Sequence, residues 1–262
     1  MIPAAVRACY LRVVAGSMLL SSFVGCLALI SHTAAVQAST DAAVAQGAQR
    51  LAADRFAAVL AAAISAVAFY HYQKLVEIRG SGRHSTELED QCDAVRYSDW
   101  LVTLPALAVE INLIMNGKDD SPWEAVHRGW WMAAGLVVMV LFGILERETA
   151  ATSTSTAPAL SWLPGLPWFP FACGLLLAVF FGLAERPRTH DWVFWGFVVI
   201  PWSLYGVVAK AAQLAGNGTE SSGADRNESV SVAKDILYGL LDIWCKAVLG
   251  LWTASKAAGV AY

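Results

Sequence analysis

Residues 235–252 read DILYGLLDIWCKAVLGLW, an apolar run broken by Asp242 and, four residues later, by Lys246. That spacing puts the carboxylate and the amine on one helix face. An ammonium at bilayer depth costs from about 3 to more than about 10 kcal/mol, so such residues are rarely idle. A lysine there is tolerated in two ways. It pairs with an acid, or it is carried as a covalent Schiff base whose charge nearby carboxylates balance.

Composition sets the surroundings of that lysine. The 262-residue chain is 57% hydrophobic and 15% charged, whereas a soluble domain averages about a quarter charged residues. This is a membrane protein, with the lipid bilayer as its first partner. A net charge of −3 argues against a nucleic-acid partner. Cys9, Cys26, Cys92, Cys173 and Cys245 show no paired spacing, so they read as small packing residues rather than as disulfides or metal ligands.

Seven stretches are long enough to cross about 30 Å of hydrocarbon at about 1.5 Å per residue. They run roughly over 8–31, 54–78, 95–116, 126–146, 160–185, 191–214 and 231–256. The connections, such as GSGRHSTELED and GNGTESSGADRNES, have turn and loop composition. The expected fold is all-α: a single seven-transmembrane-helix bundle covering 1–262. The first span, with Arg7 and Arg12 before it and HTAAVQAS after it, imitates a cleavable signal peptide. Removing it would leave six spans, which favours a retained helix. Lys and Arg are spread over both sets of loops and do not settle orientation. The sequons Asn217-Gly-Thr219 and Asn227-Glu-Ser229, between the sixth and seventh spans, would place that loop and the N-terminus on the extracellular or lumenal side. The membrane would then be the plasma membrane or a eukaryotic endomembrane.

The third span, AVRYSDWLVTLPALAVEINLIM, holds Arg96, Asp99, Thr103 and Glu110. At about 100° per residue, Thr103 lies about 40° and Glu110 about 20° from Asp99, so all three line one stripe. Asp99 and Glu110 are about 16 Å apart along the axis, half a membrane. Two carboxylates at different depths with a hydroxyl between them form a proton path, and Arg96, a turn below, would hold Asp99 ionised. Glu110 sits in the apolar stretch PALAVEINLI and is expected to keep its proton at neutral pH. The alternative is that these groups pair with other helices and merely glue the bundle. In the second span His71, between Tyr70 and Tyr72, is available to pair with an acid of a neighbouring helix.

These residues resemble the microbial rhodopsins, and within them the proteorhodopsin and xanthorhodopsin group. The match lies in AFYHYQKL, RYSDWLVTLPALAVEINLI and LYGLLDIWCKAVLG, and the seven spans extend it over the chain. The resemblance implies a photoreceptor and transporter rather than an enzyme, built as a bundle enclosing a retinal pocket. It implies all-trans retinal on Lys246 as a protonated Schiff base, Asp99 as primary counterion and proton acceptor, and Asp242 as second counterion. It further implies His71 as the acceptor's partner, Arg96 beneath the complex, Glu110 as internal proton donor, and Thr103 completing the Asp-Thr-Glu pattern of outward proton pumps. Trp100 and Pro105 match pocket residues along the polyene. Leu107 matches the leucine of green-absorbing relatives, and Tyr72 and Tyr238 match tyrosines near Asp242. The transported ion would be the proton, and the assembly a homo-oligomer.

The sixth span, WVFWGFVVIPWSLYGVVA, departs from the family pattern. Gly196 and Pro201 match, with Pro201 as the helix-bending proline, but Phe197 stands where relatives have a tryptophan clamping the retinal chain. Ile200 replaces a tyrosine that bonds the second counterion, and Leu204 replaces a further aromatic; Trp195, Trp202 and Tyr205 are out of register. These substitutions together, with the expected loss of a hydroxyl near Asp242, are the argument for a second reading, a photosensory or light-gated channel rhodopsin. Glu110 favours the pump. In the fifth span Phe171 and Gly174 fall near the ring end of the pocket, and the bulk of Phe171 argues against a carotenoid antenna. Trp123, Trp130, Trp131, Trp162 and Trp168 read as interfacial anchors. His84, His127 and His190 sit in loops or at span ends, and Glu87, Glu89, Asp90 and Asp93 read as a solvated loop face that could release protons.

Overall fold

The computed structural model describes residues 4–36, 44–80, 86–116, 122–152, 191–216 and 223–258, and nearly all of them are helical. The helices are α1 (Ala4–Val36), α2 (Val44–Gly80), α3 (Thr86–Asn116) and α4 (Pro122–Thr152). Next, α5 covers 191–216 as Asp191–Phe194, a π-helical stretch Trp195–Val199 and Ile200–Gly216. Last, α6 covers 223–257 as Gly223–Asp242, a π-helical stretch Ile243–Val248 and Leu249–Ala257. Six of the seven expected spans fall on these helices. The fifth, 160–185, with Phe171, Cys173 and Gly174, lies outside the described residues.

Among the described residues, Ala52–Gly80, Glu87–Met115, Trp195–Ala212 and Glu228–Ala257 are long and apolar enough to cross a bilayer. In α1 and α4 the apolar stretches are shorter, Cys9–Phe23 and Gly129–Leu145. The helices outrun the expected spans because their polar flanks are helical too. The acidic stretch assigned above to a loop is the start of α3, with Glu87 and Glu89 in its first turn, where carboxylates complement the helix dipole. Asn227, also assigned to a loop, lies within α6.

In lipid, helices associate through close packing and interhelical hydrogen bonds rather than through burial from water. On α2 the small residues Ala57, Ala61, Ser65 and Ala68 are buried, while Phe56, Val59 and Tyr70 point outward. That small face lets α1 and α3 come near. Ser65 donates to Ser21 Oγ of α1 at 3.2 Å, and Ser21 donates to the Ala247 carbonyl of α6 at 3.3 Å. Gly239 of α6 is a required glycine, since a Cβ there would stand 2.5 Å from the Tyr10 hydroxyl, which itself donates to the Ile236 carbonyl. Leu104, Leu107 and Ile111 of α3 pack with Met132, Leu136 and Met139 of α4 in the main apolar cluster.

One end of the bundle is closed by charge. Asp235 of α6 accepts from Arg7 Nε of α1 at 2.6 Å, from Arg79 Nε of α2 at 3.1 Å, and from Arg96 of α3. Glu89 accepts from Arg79 Nη2 at 2.9 Å and from Ser231 Oγ at 2.5 Å, and Asp93 accepts from Arg96 at 2.7 Å and Lys234 at 3.0 Å. Glu89 and Asp93 are therefore partners in a partly buried network, not a solvated face, because guanidinium groups of three helices converge on them and on Asp235. Cys9 and Cys26 also depart from the packing role expected of them: both are exposed, while Cys92 and Cys245 are buried.

Breaking a buried ion cluster by removing one partner costs about 3–5 kcal/mol. Asp235→Asn is expected to lower the thermal unfolding temperature of the detergent-solubilised chain by several degrees, followed by circular dichroism. Exposed Glu87→Gln should leave it within error. Equal behaviour of the two variants would show that the cluster does not bear on stability.

Candidate functional site

Lys246 lies in the π-helical stretch of α6 and is 2% exposed. π-turns inside α-helices are rare and recur at functional positions. The stretch ends where the Leu249 N–H donates to the Lys246 carbonyl. The Lys246 amine donates to Asp99 Oδ2 of α3 and stands 3.2 Å from Asp242 Oδ1 on its own helix. Both acids expected near this lysine are therefore beside it, and one of them arrives from a helix far away in sequence.

One cation between two carboxylates leaves an excess negative charge in a dry place, where uncompensated charge is costly. Asp242 is relieved by two phenols. Tyr72 of α2 donates to its Oδ2 and Tyr205 of α5 to its Oδ1, each at 2.6 Å. The Tyr205 bond corrects the reading of the sixth span: the hydroxyl near Asp242 is not lost. Ile200 and Leu204, placed above in pocket positions, are exposed, and so is Val207; spaced four and three apart, they form the outward face of α5. Trp202 and Tyr205, three apart on the opposite face, are almost fully buried. That i, i+3 aromatic pair was visible in the sequence, but the register was taken from Pro201 instead.

Pro201 follows the π-helical stretch of α5. In the five-residue register residue 201 would donate to the carbonyl of residue 196, and proline has no N–H to give. The Gly196 carbonyl instead accepts from Trp244 Nε1 of α6 at 2.9 Å. Phe197 stacks on Trp244, with centroids 5.3 Å apart.

The remaining expected residues fall into two groups. Thr103 and Glu110 are buried on the same face of α3 as Asp99. Thr103 donates to the Asp99 backbone carbonyl at 2.8 Å, and Glu110 Oε1 accepts from Thr253 of α6 at 2.9 Å. Thr253 was not singled out from sequence, where one threonine in an apolar run carries no signal. Arg96 and His71 differ from expectation. Arg96 gives its hydrogen bonds to Asp93 and Asp235, not to Asp99, and its guanidinium lies 5.4 Å from the Tyr238 ring centroid. The His71 Nδ1 is 2.8 Å from the Val67 carbonyl and 3.6 Å from Asp99 Oδ1. The second distance exceeds a hydrogen bond, so His71 is a close electrostatic neighbour of Asp99.

Aromatic rings wall the space beside the lysine. Trp100 meets Trp202 edge-on at 5.8 Å, Tyr205 at 5.2 Å and Tyr238 at 5.6 Å, and Trp202 stacks on Tyr205 at 4.7 Å. Leu107 is buried among these layers, and Pro105 is internal to α3. Three buried polar atoms, Asp99 Oδ1, Trp100 Nε1 and Trp202 Nε1, have no hydrogen-bond partner. A buried amine held by two acids, beside a cluster of aromatic rings, fits a covalently carried group whose charge those acids would balance.

The family model described as bacteriorhodopsin-like protein matches residues 20–259. Among curated proteins none matches the chain by sequence. Among solved structures the chain is similar to xanthorhodopsin, described as a light-driven ion pump with dual chromophore, at 16% identity and TM-score 0.62, covering 98% of this chain and 94% of that one. It is similar to the blue light-absorbing proteorhodopsin from Med12 at 16% identity and TM-score 0.54, covering 94% and 97%. A third likeness is to Exiguobacterium sibiricum rhodopsin, at 15% identity and TM-score 0.55, covering 93% and 97%. At such identities the likeness establishes the fold.

A hydrogen bond to a charged group contributes about 1.5–3 kcal/mol. Tyr205→Phe is expected to destabilise the chain by an amount in that range, measured by thermal unfolding, whereas Leu204→Ile on the outward face stays within about 0.5 kcal/mol. The reverse order would return α5 to the register first expected.

Proposed function

The chain belongs to the bacteriorhodopsin-like family, and on that premise we propose that it is a light-driven outward proton pump carrying all-trans retinal on Lys246. The observation that carries this reading is the Lys246 nitrogen held between Asp99 and Asp242, with Glu110 buried further along the same face of α3. Lys246 would hold retinal there, and the group would supply light-driven isomerisation at the lysine nitrogen.

The chain's own groups do the rest. Asp99 Oδ2, hydrogen-bonded to that nitrogen, is the atom placed to take the proton. Asp242 is the less suited acceptor, since both its oxygens already receive phenol hydrogen bonds. Glu110 sits about 16 Å further along the axis in apolar surroundings, where a carboxyl group holds its proton until a base appears. It is the donor that returns a proton to the nitrogen. The charged cluster around Asp235 lies at the opposite end of α3 and α6, so outward pumping places that end and the N-terminus outside. The described part of α5 ends at Gly216 and α6 begins at Gly223; Asn217 lies outside the described residues. The protein is an integral membrane protein, in either the plasma membrane or a eukaryotic endomembrane.

Of the sixth-span departures that favour the sensory or channel reading, the missing hydroxyl near Asp242 is supplied by Tyr205. The pump reading is tested by expressing the chain with all-trans retinal and illuminating cells in unbuffered suspension. Acidification abolished by a protonophore is expected. Colour without a pH change would indicate a sensor, and a photocurrent that reverses with voltage would indicate a channel. Lys246→Ala should lose the covalent pigment, and retention of a covalent pigment would sink the whole assignment. Glu110→Gln should slow the late photocycle severalfold, and an unchanged decay would remove Glu110 from the donor role.

A further inference from the structure

Thr253 holds a position that Glu110 alone does not explain. Its hydroxyl is 2.9 Å from Glu110 Oε1 and also 2.9 Å from the Leu249 carbonyl of its own helix. Both Thr253 and Glu110 are 1% exposed. A hydroxyl has one hydrogen to give but can also accept, and a backbone carbonyl can only accept. If Glu110 is ionised, two acceptors compete for one hydrogen and one contact is lost. If Glu110 carries a proton, both contacts are satisfied in series: the acid donates to Thr253 Oγ1, and Thr253 donates to the Leu249 carbonyl.

We propose that Thr253 is a positioning residue that exchanges hydrogen-bond partners with the protonation state of Glu110. This rests on the donor role of Glu110. With Glu110 protonated, Thr253 accepts from the acid and ties it to the backbone of α6. Once the proton leaves, the Thr253 hydroxyl turns its hydrogen to the carboxylate and releases the Leu249 carbonyl. Among the described residues Thr253 is the hydrogen-bond donor to Glu110, so without it the carboxylate would be stranded in a dry site. The released carbonyl belongs to the residue that follows the π-helical stretch and whose own N–H donates to the Lys246 carbonyl. Loss of the proton at Glu110 is thereby transmitted to the backbone that carries the lysine.

The test uses the full chain with retinal in lipid, by time-resolved infrared and visible spectroscopy on Thr253→Val, Thr253→Ser and Glu110→Gln. The C=O stretch of protonated Glu110 is identified as the carboxylic band missing from Glu110→Gln. In Thr253→Val that band is expected at higher wavenumber, and reprotonation of the lysine nitrogen slows severalfold at an unchanged absorption maximum. Thr253→Ser restores both. Thr253→Ala serves as the hydroxyl-free variant if the valine protein forms no pigment. A wild-type band and rate without the hydroxyl would overturn the proposal, as would a serine variant as slow as the valine one. If Glu110→Gln changes the band and the rate while Thr253→Val changes neither, only the role of Thr253 falls. If Glu110→Gln itself changes neither, the donor reading falls with it.

Discussion

The cation of Lys246 is the constraint around which the bundle is arranged. In hydrocarbon no water is available to share the charge, so the compensating groups must come from the protein. Asp242 comes from the same helix, Asp99 from α3, and the phenols that steady Asp242 from α2 and α5. Four helices thus meet at one nitrogen, and their mutual placement follows from that requirement more than from any apolar preference. Lipid is as apolar as leucine, and it gives the apolar faces little reason to choose one neighbour over another.

Along α3 and α6 the polar groups are stacked in three levels. Arg96 meets Asp235 at one end, Asp99 meets Lys246 in the middle, and Glu110 meets Thr253 at the other end. The order is the same on both helices, so they run parallel. The layers between hold buried apolar side chains such as Leu104 and Leu107, so the three polar levels are separated by hydrocarbon. The three levels differ in kind: a many-membered ion cluster, a single amine between two acids, and a buried acid joined to a hydroxyl.

The two π-helical stretches belong to the same design. One carries Lys246, and the other precedes Pro201 on the helix beside it. They are joined where Trp244 donates to the Gly196 carbonyl, a carbonyl that proline leaves without a backbone partner. Irregular backbone at membrane depth is tolerated where such groups are satisfied by neighbours. Here a tryptophan two residues before Lys246 donates to it, so the π-helical stretches of α5 and α6 are directly joined.

Much of this was legible in the chain itself. Hydropathy over about 20 residues marks each span regardless of its neighbours. The i, i+4 pair Asp242–Lys246 and the stripe Asp99–Thr103–Glu110 are properties of single helices, readable from a period of 3.6. What crosses between helices was not readable. Asp235 and Thr253 carry no signal within their own helix; arginines from three helices close on the first and α3 brings Glu110 against the second only in the fold. Arg96 turned away from Asp99 because a better acid lay on another helix. Tyr205 was set aside because a proline was used to fix the register, whereas the buried face of α5 is decided by which side meets Asp242. Sequence determined which residues could carry charge and at what depth; tertiary structure decided their partners, since pairing between helices depends on distances that no periodicity within one helix contains.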